Sequence, residues 1–228
     1  MNRIRSFCWL VVACMFLWAL PLQTVIAGEE VSFDHRHQLG VRLGVWSNQG
    51  DTPPDRFVDE DAGVSLRTAI GSANAYFEAV GAYRLFSKGM IELSFGFVSR
   101  GDVTLVEQGR EYIGSLVMYP MLVSFKYYLP VTINGKFYPY FQLGGGVYYG
   151  RHNVQFTNDA WYAYNEDSGT DLNYVIGGGF DWRVASVIGL ELNARYMPSE
   201  FDKGLILAKD YTALTVTFGV KYLLSSKK

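Results

Sequence analysis

The chain has 228 residues, with 20 basic and 22 acidic side chains and a formal net charge of −2. This near-balance argues against a nucleic-acid-binding protein, which needs a basic surface. Both cysteines, Cys8 and Cys14, lie near the amino terminus, so the rest of the chain has no thiol for a disulfide or a cysteine-based metal site.

The first 27 residues have the pattern of an export signal. Arg3 and Arg5 precede an almost wholly apolar stretch from Phe7 to Leu22, and a small-residue cleavage pattern ends at Ala27. We therefore predict a cleaved secretory signal peptide over residues 1–27 and a single domain over residues 28–228.

Two alternatives compete with a cleaved signal. A retained membrane helix is one, because the apolar stretch approaches the length needed to span a bilayer. A lipoprotein signal cleaved at Cys14 is the other, but it would leave the apolar residues Met15 to Leu22 on the mature protein. Past the signal, the longest apolar stretch, Leu116 to Val123, is about half the length of a spanning helix. If the domain crosses a membrane, it must do so with strands.

Eight segments of the domain alternate apolar with polar or small residues, as strands with one greasy face do. They are Gln38–Trp46, Ala73–Leu85, Met90–Val98, Tyr112–Leu129, Phe137–Tyr149, Leu172–Arg183, Val187–Tyr196 and Tyr211–Leu224. Glycine triplets at Gly144–Gly146 and Gly177–Gly179 suit a narrow barrel, where they relieve crowding between strands.

The connections between these segments alternate between long and short. Long connections include Ser99–Glu111, Gly150–Asp171 and Met197–Asp210, whereas Val184–Ser186 is a tight turn. This order is typical of an all-β, eight-stranded, antiparallel, up-and-down transmembrane β-barrel with long loops outside the cell and termini in the periplasm.

The less apolar face of the strands carries charges of both signs. Within a barrel these side chains can pair across the bore, and Arg42 with Glu78 is the pair expected near mid-barrel. The predicted interior charge network comprises Arg42, Glu78, Arg84, Glu92, Lys126, Asp181, Arg183, Glu191, Arg195 and Lys221.

The opposite orientation of the two faces gives a different protein. With charges outside and apolar residues inside, the chain would be a soluble, exported, lipocalin-like carrier of apolar ligands. The carrier does not explain why Tyr83, Tyr127, Trp182 and Tyr222 gather near the short-turn end, where an interfacial aromatic girdle belongs.

The final strand carries the most specific pattern, Thr217-x-Gly219-x-x-Tyr222-x-Leu224. It resembles the carboxy-terminal signal that the barrel assembly machinery recognises in small Gram-negative outer-membrane barrels, the group of the OmpA, OmpX and OmpW transmembrane domains. In that group the chain usually ends at an aromatic residue, whereas this chain continues through Ser225 to Lys228. The resemblance implies an outer-membrane location, contact with membrane lipid and lipopolysaccharide, and the assembly machinery as a partner during biogenesis. It does not indicate an oligomeric state.

Some small outer-membrane barrels are lipid-modifying enzymes, which need a nucleophile beside a base near the outer rim. Here His152, Ser168 and Asp171 form a triad by composition only. His35 and His37 lack a third metal ligand and are expected in a solvated stretch before the first strand. We therefore expect no catalytic centre, no cofactor and no metal.

The loop aromatics Trp161, Tyr162 and Tyr164 have two interpretations. They form an interfacial belt beneath solvated acids, or they form a recognition surface on a rigid scaffold. For the whole domain we expect an outer-membrane barrel with a structural role or one in the passage of small solutes or hydrophobic compounds. The soluble carrier and the lipid-modifying enzyme remain as alternatives.

Overall fold

The computed structural model describes residues 35–52, 56–59, 64–107, 110–131, 133, 136–156, 165–205 and 208–225. The predicted signal peptide and the aromatic residues Trp161, Tyr162 and Tyr164 lie outside these residues. Among the described residues, no helix is long and apolar enough to cross a membrane. The strands are β1 (His35–Asn48), β2 (Arg56–Asp59), β3 (Val64–Ile70), β4 (Ala73–Phe86), β5 (Gly89–Glu107), β6 (Arg110–Tyr128), β7 (Phe137–Phe156), β8 (Asn165–Arg183), β9 (Ile188–Met197), β10 (Glu200–Leu205), β11 (Ala208–Asp210) and β12 (Ala213–Ser225).

Eight of these strands form a closed antiparallel barrel. The ring runs β1, β4, β5, β6, β7, β8, β9 and β12, and β12 pairs with β1 to close it. Each predicted segment corresponds to one strand of the ring, so the predicted all-β, eight-stranded antiparallel fold is confirmed. Below, the long-loop end of the barrel is the end where β1 leads to β4 and β9 leads to β12, and the short-turn end is the opposite one.

The strands are longer than predicted toward the long-loop end. β5 and β6 pair as far as Glu107 and Arg110, and β7 and β8 pair as far as Val154 and Asn165. The expectation of irregular loops over Ser99–Glu111 and Gly150–Asp171 was therefore wrong in extent. The reason is that these mostly polar segments carry no long alternation of apolar residues, yet each extends a backbone ladder that starts within the barrel.

Two strand pairs occupy the remaining long connections. In the first, β2 pairs with β3, and β3 pairs with the upper part of β5 from Val64–Glu107 to Ile70–Gly101. In the last, β10 and β11 form a separate two-stranded sheet, which we call the cap hairpin. Both lie where the sequence indicated loops.

The outward face of the barrel is apolar and the inward face is polar. Along β1, for example, Leu39 and Val41 are 56% and 64% exposed, whereas Gln38 and Arg42 are 3% and 2% exposed. This is the reverse of what a soluble carrier needs, because its apolar side chains would fill the bore. Two rings of aromatic residues border the outward belt. They are Tyr83, Tyr127, Trp182 and Tyr222 at the short-turn end and Tyr119, Tyr149, Tyr174 and Tyr196 nearer the long-loop end.

A bulge interrupts β5 just above the outward belt. The pairing with β6 shifts register between Ser99 and Gly101, so Arg100 is the extra residue. Gly101 has a φ of 129°, a conformation that only glycine adopts without strain. A Cβ at this position would lie 2.2 Å from the carbonyl oxygen of Ala69, so the neighbouring backbone leaves no space for one. The bulge buries the Arg100 side chain, which is 1% exposed.

We predict that Gly101→Ala lowers the free energy of unfolding by about 1–3 kcal/mol, because the new Cβ strains the bulge. The matched control is Gly81→Ala, whose Cβ would meet only Leu39 Cδ2 at 3.5 Å. The measurement is urea unfolding of the folded barrel in detergent micelles, and equal stability of the two variants would contradict the strain argument.

Candidate functional site

A cluster of eight ionised side chains fills the middle of the bore. Four are cations and four are carboxylates, so the cluster is electrically neutral as a whole. Its members are Arg42, Lys126, Arg195, Lys221, Glu78, Glu92, Asp181 and Glu191. All eight belong to the predicted interior charge network, and all eight are buried.

Arg42 lies at the centre of this ion cluster. Its Nη1 donates to Glu78 at 2.7 Å, its Nη2 to Glu92 at 2.6 Å, and its Nε to Glu191 at 2.7 Å. Three carboxylates from three different strands therefore converge on one guanidinium, whose planar set of donors suits such sharing. Glu78 is also held by Arg195, whose Nη2 donates to it at 2.6 Å.

Glu191 is the second junction of the ion cluster. Besides Arg42, it contacts the ammonium groups of Lys126 and Lys221, and the hydroxyl of Tyr140 donates to it at 2.5 Å. Lys126 also bridges to Glu92 at 2.7 Å. Because each buried charge has an opposite charge or a hydroxyl beside it, the desolvation of the ions is compensated within the bore.

Uncharged side chains complete the cluster, and the sequence analysis did not single them out. Gln142 donates to Glu92 and to Ser124, Asn193 donates to Tyr140 and to Gln142, and Tyr128 donates to Asp181. All lie on the inward parity of predicted strands, so a search for inward amides and hydroxyls beside the charges would have found them.

Two predicted members of the network lie elsewhere. Arg84 is opposite Met90 and Arg183 is opposite Gly189, so both belong to the short-turn end of the barrel. They are partly exposed rather than buried. Both occupy the inward parity of their strands, but near the rim a long charged side chain can extend toward water instead of joining the ion cluster.

Apolar layers lie on both sides of the ion cluster. Toward the short-turn end, Met90, Tyr128 and Tyr140 pack together. Toward the long-loop end, a larger cluster fills the bore, which we call the upper layer. It consists of Trp46, Tyr76, Val98, Leu116, Met118, Leu122, Tyr148, Val175, Met197, Phe201, Leu205, Ala208, Tyr211 and Ala213.

The cap hairpin contributes Phe201, Leu205 and Ala208 to the upper layer and covers the rest of it. Phe201 and Leu205 from β10 pack against Gly150 and Gly169, where any added Cβ would collide with them. Phe201 also meets the ring of Tyr211 edge-on, with 5.6 Å between centroids. Glycines on β7 and β8 thus provide the space in which the cap hairpin sits.

Hydrogen bonds fasten the cap hairpin to the segment just after β1. Asp51 accepts hydrogen bonds from the amides of Asp210 at 3.1 Å and Lys209 at 3.2 Å. These bonds, with that from Asp210 first, hold the pKa of the Asp51 carboxyl below its usual value. In addition, the amide of Gln49 donates to the carbonyl of Thr212 at 2.7 Å.

The structure does not assemble the triad that composition suggested. His152 is opposite Asp167 in the β7–β8 ladder, and Ser168 is the next residue along, so His152 and Ser168 lie on opposite faces of the sheet. Asp171 lies farther along the ladder, opposite Tyr148, and it accepts a hydrogen bond from the Glu200 amide. His37 is exposed and its ring lies 5.1 Å from that of Tyr83. Among the described residues, no group of three histidine, cysteine or acidic side chains is arranged to hold a metal ion.

The residues of the predicted assembly signal lie near the end of β12. Thr217 and Gly219 face the bore, whereas Tyr222 is outward and 53% exposed, and Leu224 is half-buried. Their role in assembly remains a prediction.

Solved structures with the same architecture are outer-membrane proteins. Neisserial surface protein A is 12% identical, with 82% of this chain and 96% of that chain covered and a TM-score of 0.52. OprG from Pseudomonas aeruginosa is 15% identical, with 84% and 98% covered and a TM-score of 0.49. Ail from Yersinia pestis, in complex with the heparin analogue sucrose octasulfate, is 14% identical, with 82% and 98% covered and a TM-score of 0.47. No protein-family model matches the chain, and no curated protein matches its sequence. At this identity the likeness to Neisserial surface protein A shows the fold alone, which is that of the eight-stranded outer-membrane barrels.

We predict that Glu191→Gln destabilises the barrel by about 3–5 kcal/mol, because it leaves Arg42, Lys126 and Lys221 with one carboxylate fewer. Adding Lys126→Met restores a neutral cluster, so the double variant should recover part of that loss. The measurement is a double-mutant cycle of urea unfolding, with exposed Glu200→Gln as the control at about 0.5 kcal/mol or less. Strict additivity of the two changes would contradict the coupling.

We also predict that the Asp51 carboxylate protects the amides of Lys209 and Asp210 from hydrogen exchange. Because its pKa is lowered in the folded state, the protection is complete above the ordinary carboxyl pKa and is lost as the pH falls through the lowered value. The measurement compares exchange at these amides in the wild type and in Asp51→Ala across that range. An equal exchange rate in both proteins at neutral pH would refute the tether.

Proposed function

We propose that this chain is an integral protein of the Gram-negative outer membrane whose barrel is closed to solutes and serves as a structural scaffold. The apolar outward belt between two aromatic rings supports the membrane location, because it matches the surface that lipid requires. In this proposal the long-loop end faces the cell exterior, the termini face the periplasm, lipopolysaccharide and lipid surround the belt, and the barrel assembly machinery inserts the chain.

The main support for a closed barrel is that side chains fill the bore at three successive levels along its axis. Along the axis, the group of Met90, Tyr128 and Tyr140 is followed by the neutral ion cluster and then by the upper layer, which the cap hairpin covers. An ion entering the bore would have to displace paired charges from each other, which costs several kcal/mol for each uncompensated charge.

In such a scaffold, the surface available for binding other molecules is the part of the sheet that extends beyond the apolar belt. β5 to β8 and the β2–β3 hairpin project there as paired strands rather than as free loops. Rigid scaffolds commonly carry recognition on the segments they present. We therefore assign contacts with other molecules to this end of the barrel, where Trp161, Tyr162 and Tyr164 also belong in sequence.

A second candidate function is the passage of small hydrophobic compounds through the wall. The β5–β6 ladder is interrupted between the Phe95–Met121 and Val98–Met118 pairs, where Pro120 has no N–H to donate. The apolar upper layer lies directly inside this interruption, with Val98, Met118 and Leu122 among its members. This route would need the cap hairpin to move, but would leave the ion cluster closed.

Planar bilayers test the closed barrel. We expect no steady single-channel steps from protein whose insertion is verified by heat-modifiable migration, because the ion cluster blocks the bore. Regular steps would contradict the scaffold. Uptake of an apolar dye into proteoliposomes in the absence of steps would favour the second candidate. Recovery of the protein from the periplasm without detergent would contradict the membrane location.

A further inference from the structure

Arg100 is a buried cation whose recorded partners are an amide oxygen and an aromatic ring. It lies above the ion cluster, and among the described residues no acidic side chain forms an ion pair with it. Its Nη1 donates to the side-chain oxygen of Asn48 at 2.9 Å, and its guanidinium carbon lies 5.5 Å from the centroid of the Tyr211 ring. An amide oxygen and an aromatic face compensate only part of the cost of burying a full charge.

In the described part of the chain, several buried donors at the same end of the bore as Arg100 also have no hydrogen-bond partner. They include the Nε of Arg100 itself, the indole Nε1 of Trp46 and the hydroxyl of Ser199. Trp46 is two residues before Asn48 on the same face of β1, and the carbonyl of Ser199 accepts a hydrogen bond from the Tyr211 amide at 2.7 Å. All three donors therefore belong to the end of the bore covered by the cap hairpin. Buried donors without partners, at the same end of the bore as a buried cation, suit the binding of an anion.

The backbone around Arg100 is built to hold it there. The β5 bulge adds Arg100 to the strand, and Gly101 supplies the conformation that the bulge needs. The Arg100 carbonyl accepts hydrogen bonds from the Asn74 side chain at 3.1 Å and the Gly71 amide at 3.2 Å. These two bonds fix the Arg100 backbone against the start of β4, which positions the side chain before any ligand arrives.

We propose that Arg100 binds the carboxylate of a small, mostly apolar molecule beneath the cap hairpin. The guanidinium is the recognition group, because its Nε–H has no partner among the described residues and its Nη1 bonds only the neutral amide oxygen of Asn48. When the cap hairpin lifts, the apolar body of the ligand takes the place of Phe201 and Leu205 and packs against the rest of the upper layer. Apolar and aromatic neighbours favour such a body over a strongly hydrated inorganic anion.

This inference does not depend on the proposed function, because a ligand beneath the cap hairpin leaves the ion cluster closed. Silent bilayer recordings and carboxylate binding can each succeed or fail separately.

The test is calorimetric titration of the folded full-length barrel in detergent micelles with sodium hexanoate. Hexanol, acetate and inorganic phosphate are titrated in parallel, since they carry the tail alone, the carboxylate alone and an inorganic anion. We expect saturable binding of hexanoate that is tighter than that of the other three. Arg100→Met should weaken hexanoate binding about ten- to a hundred-fold, the usual range for a hydrogen bond to a charged group.

Arg67→Met removes an exposed arginine from β3 and is the matched control, for which we expect unchanged binding. Arg100→Lys keeps the charge and should bind hexanoate with an affinity between those of the wild type and Arg100→Met. If Arg100→Met does not fold, the wild-type comparison of hexanoate with hexanol still decides the role of the charge. Hexanol binding as tightly as hexanoate, phosphate binding as tightly as hexanoate, or no binding of any probe would each overturn the proposal.

Discussion

The ion cluster around Arg42 is the interaction on which the barrel depends. A barrel with an apolar exterior must turn its polar faces inward, and a bore of eight strands has room for side chains but little water. Charges placed there are tolerable only if they neutralise one another. The four cations and four carboxylates do so, and the hydroxyl of Tyr140 and the amide of Gln142 donate further hydrogen bonds to Glu191 and Glu92.

Most of this arrangement follows from parity, that is, from the alternation of inward and outward side chains along each strand. This is why the fold and the cluster could be predicted from the sequence. Once the outward face of each strand is known, Arg42 and Glu78 must both point into a narrow bore, where they meet. Parity alone does not give height along the axis, so Arg84 and Arg183 were grouped with residues that lie farther from the rim. Height depends on the register between strands, which is set by pairing across the whole barrel.

The long-loop end was predicted less well, and for a different reason. Arg100 keeps the inward alternation of Glu92 and Val98, but it lies beyond the predicted end of that strand at Val98, so the sequence analysis did not include it. The cap hairpin is held by contacts between distant parts of the chain, such as Asp51 with Lys209 and Phe201 with Gly150. Such contacts leave no local pattern in the sequence. The part of the molecule with the least regular sequence signal therefore holds the candidate ligand site.

The projecting strands β6 to β8 have a mechanical consequence. Because the β6–β7 and β7–β8 ladders run without a register shift from the lipid-facing belt toward the long-loop end, a force applied at that end is transmitted to the wall of the barrel. A molecule that binds there would thus be attached to a rigid extension of the barrel. Its orientation relative to the membrane surface would be fixed by the tilt of the strands.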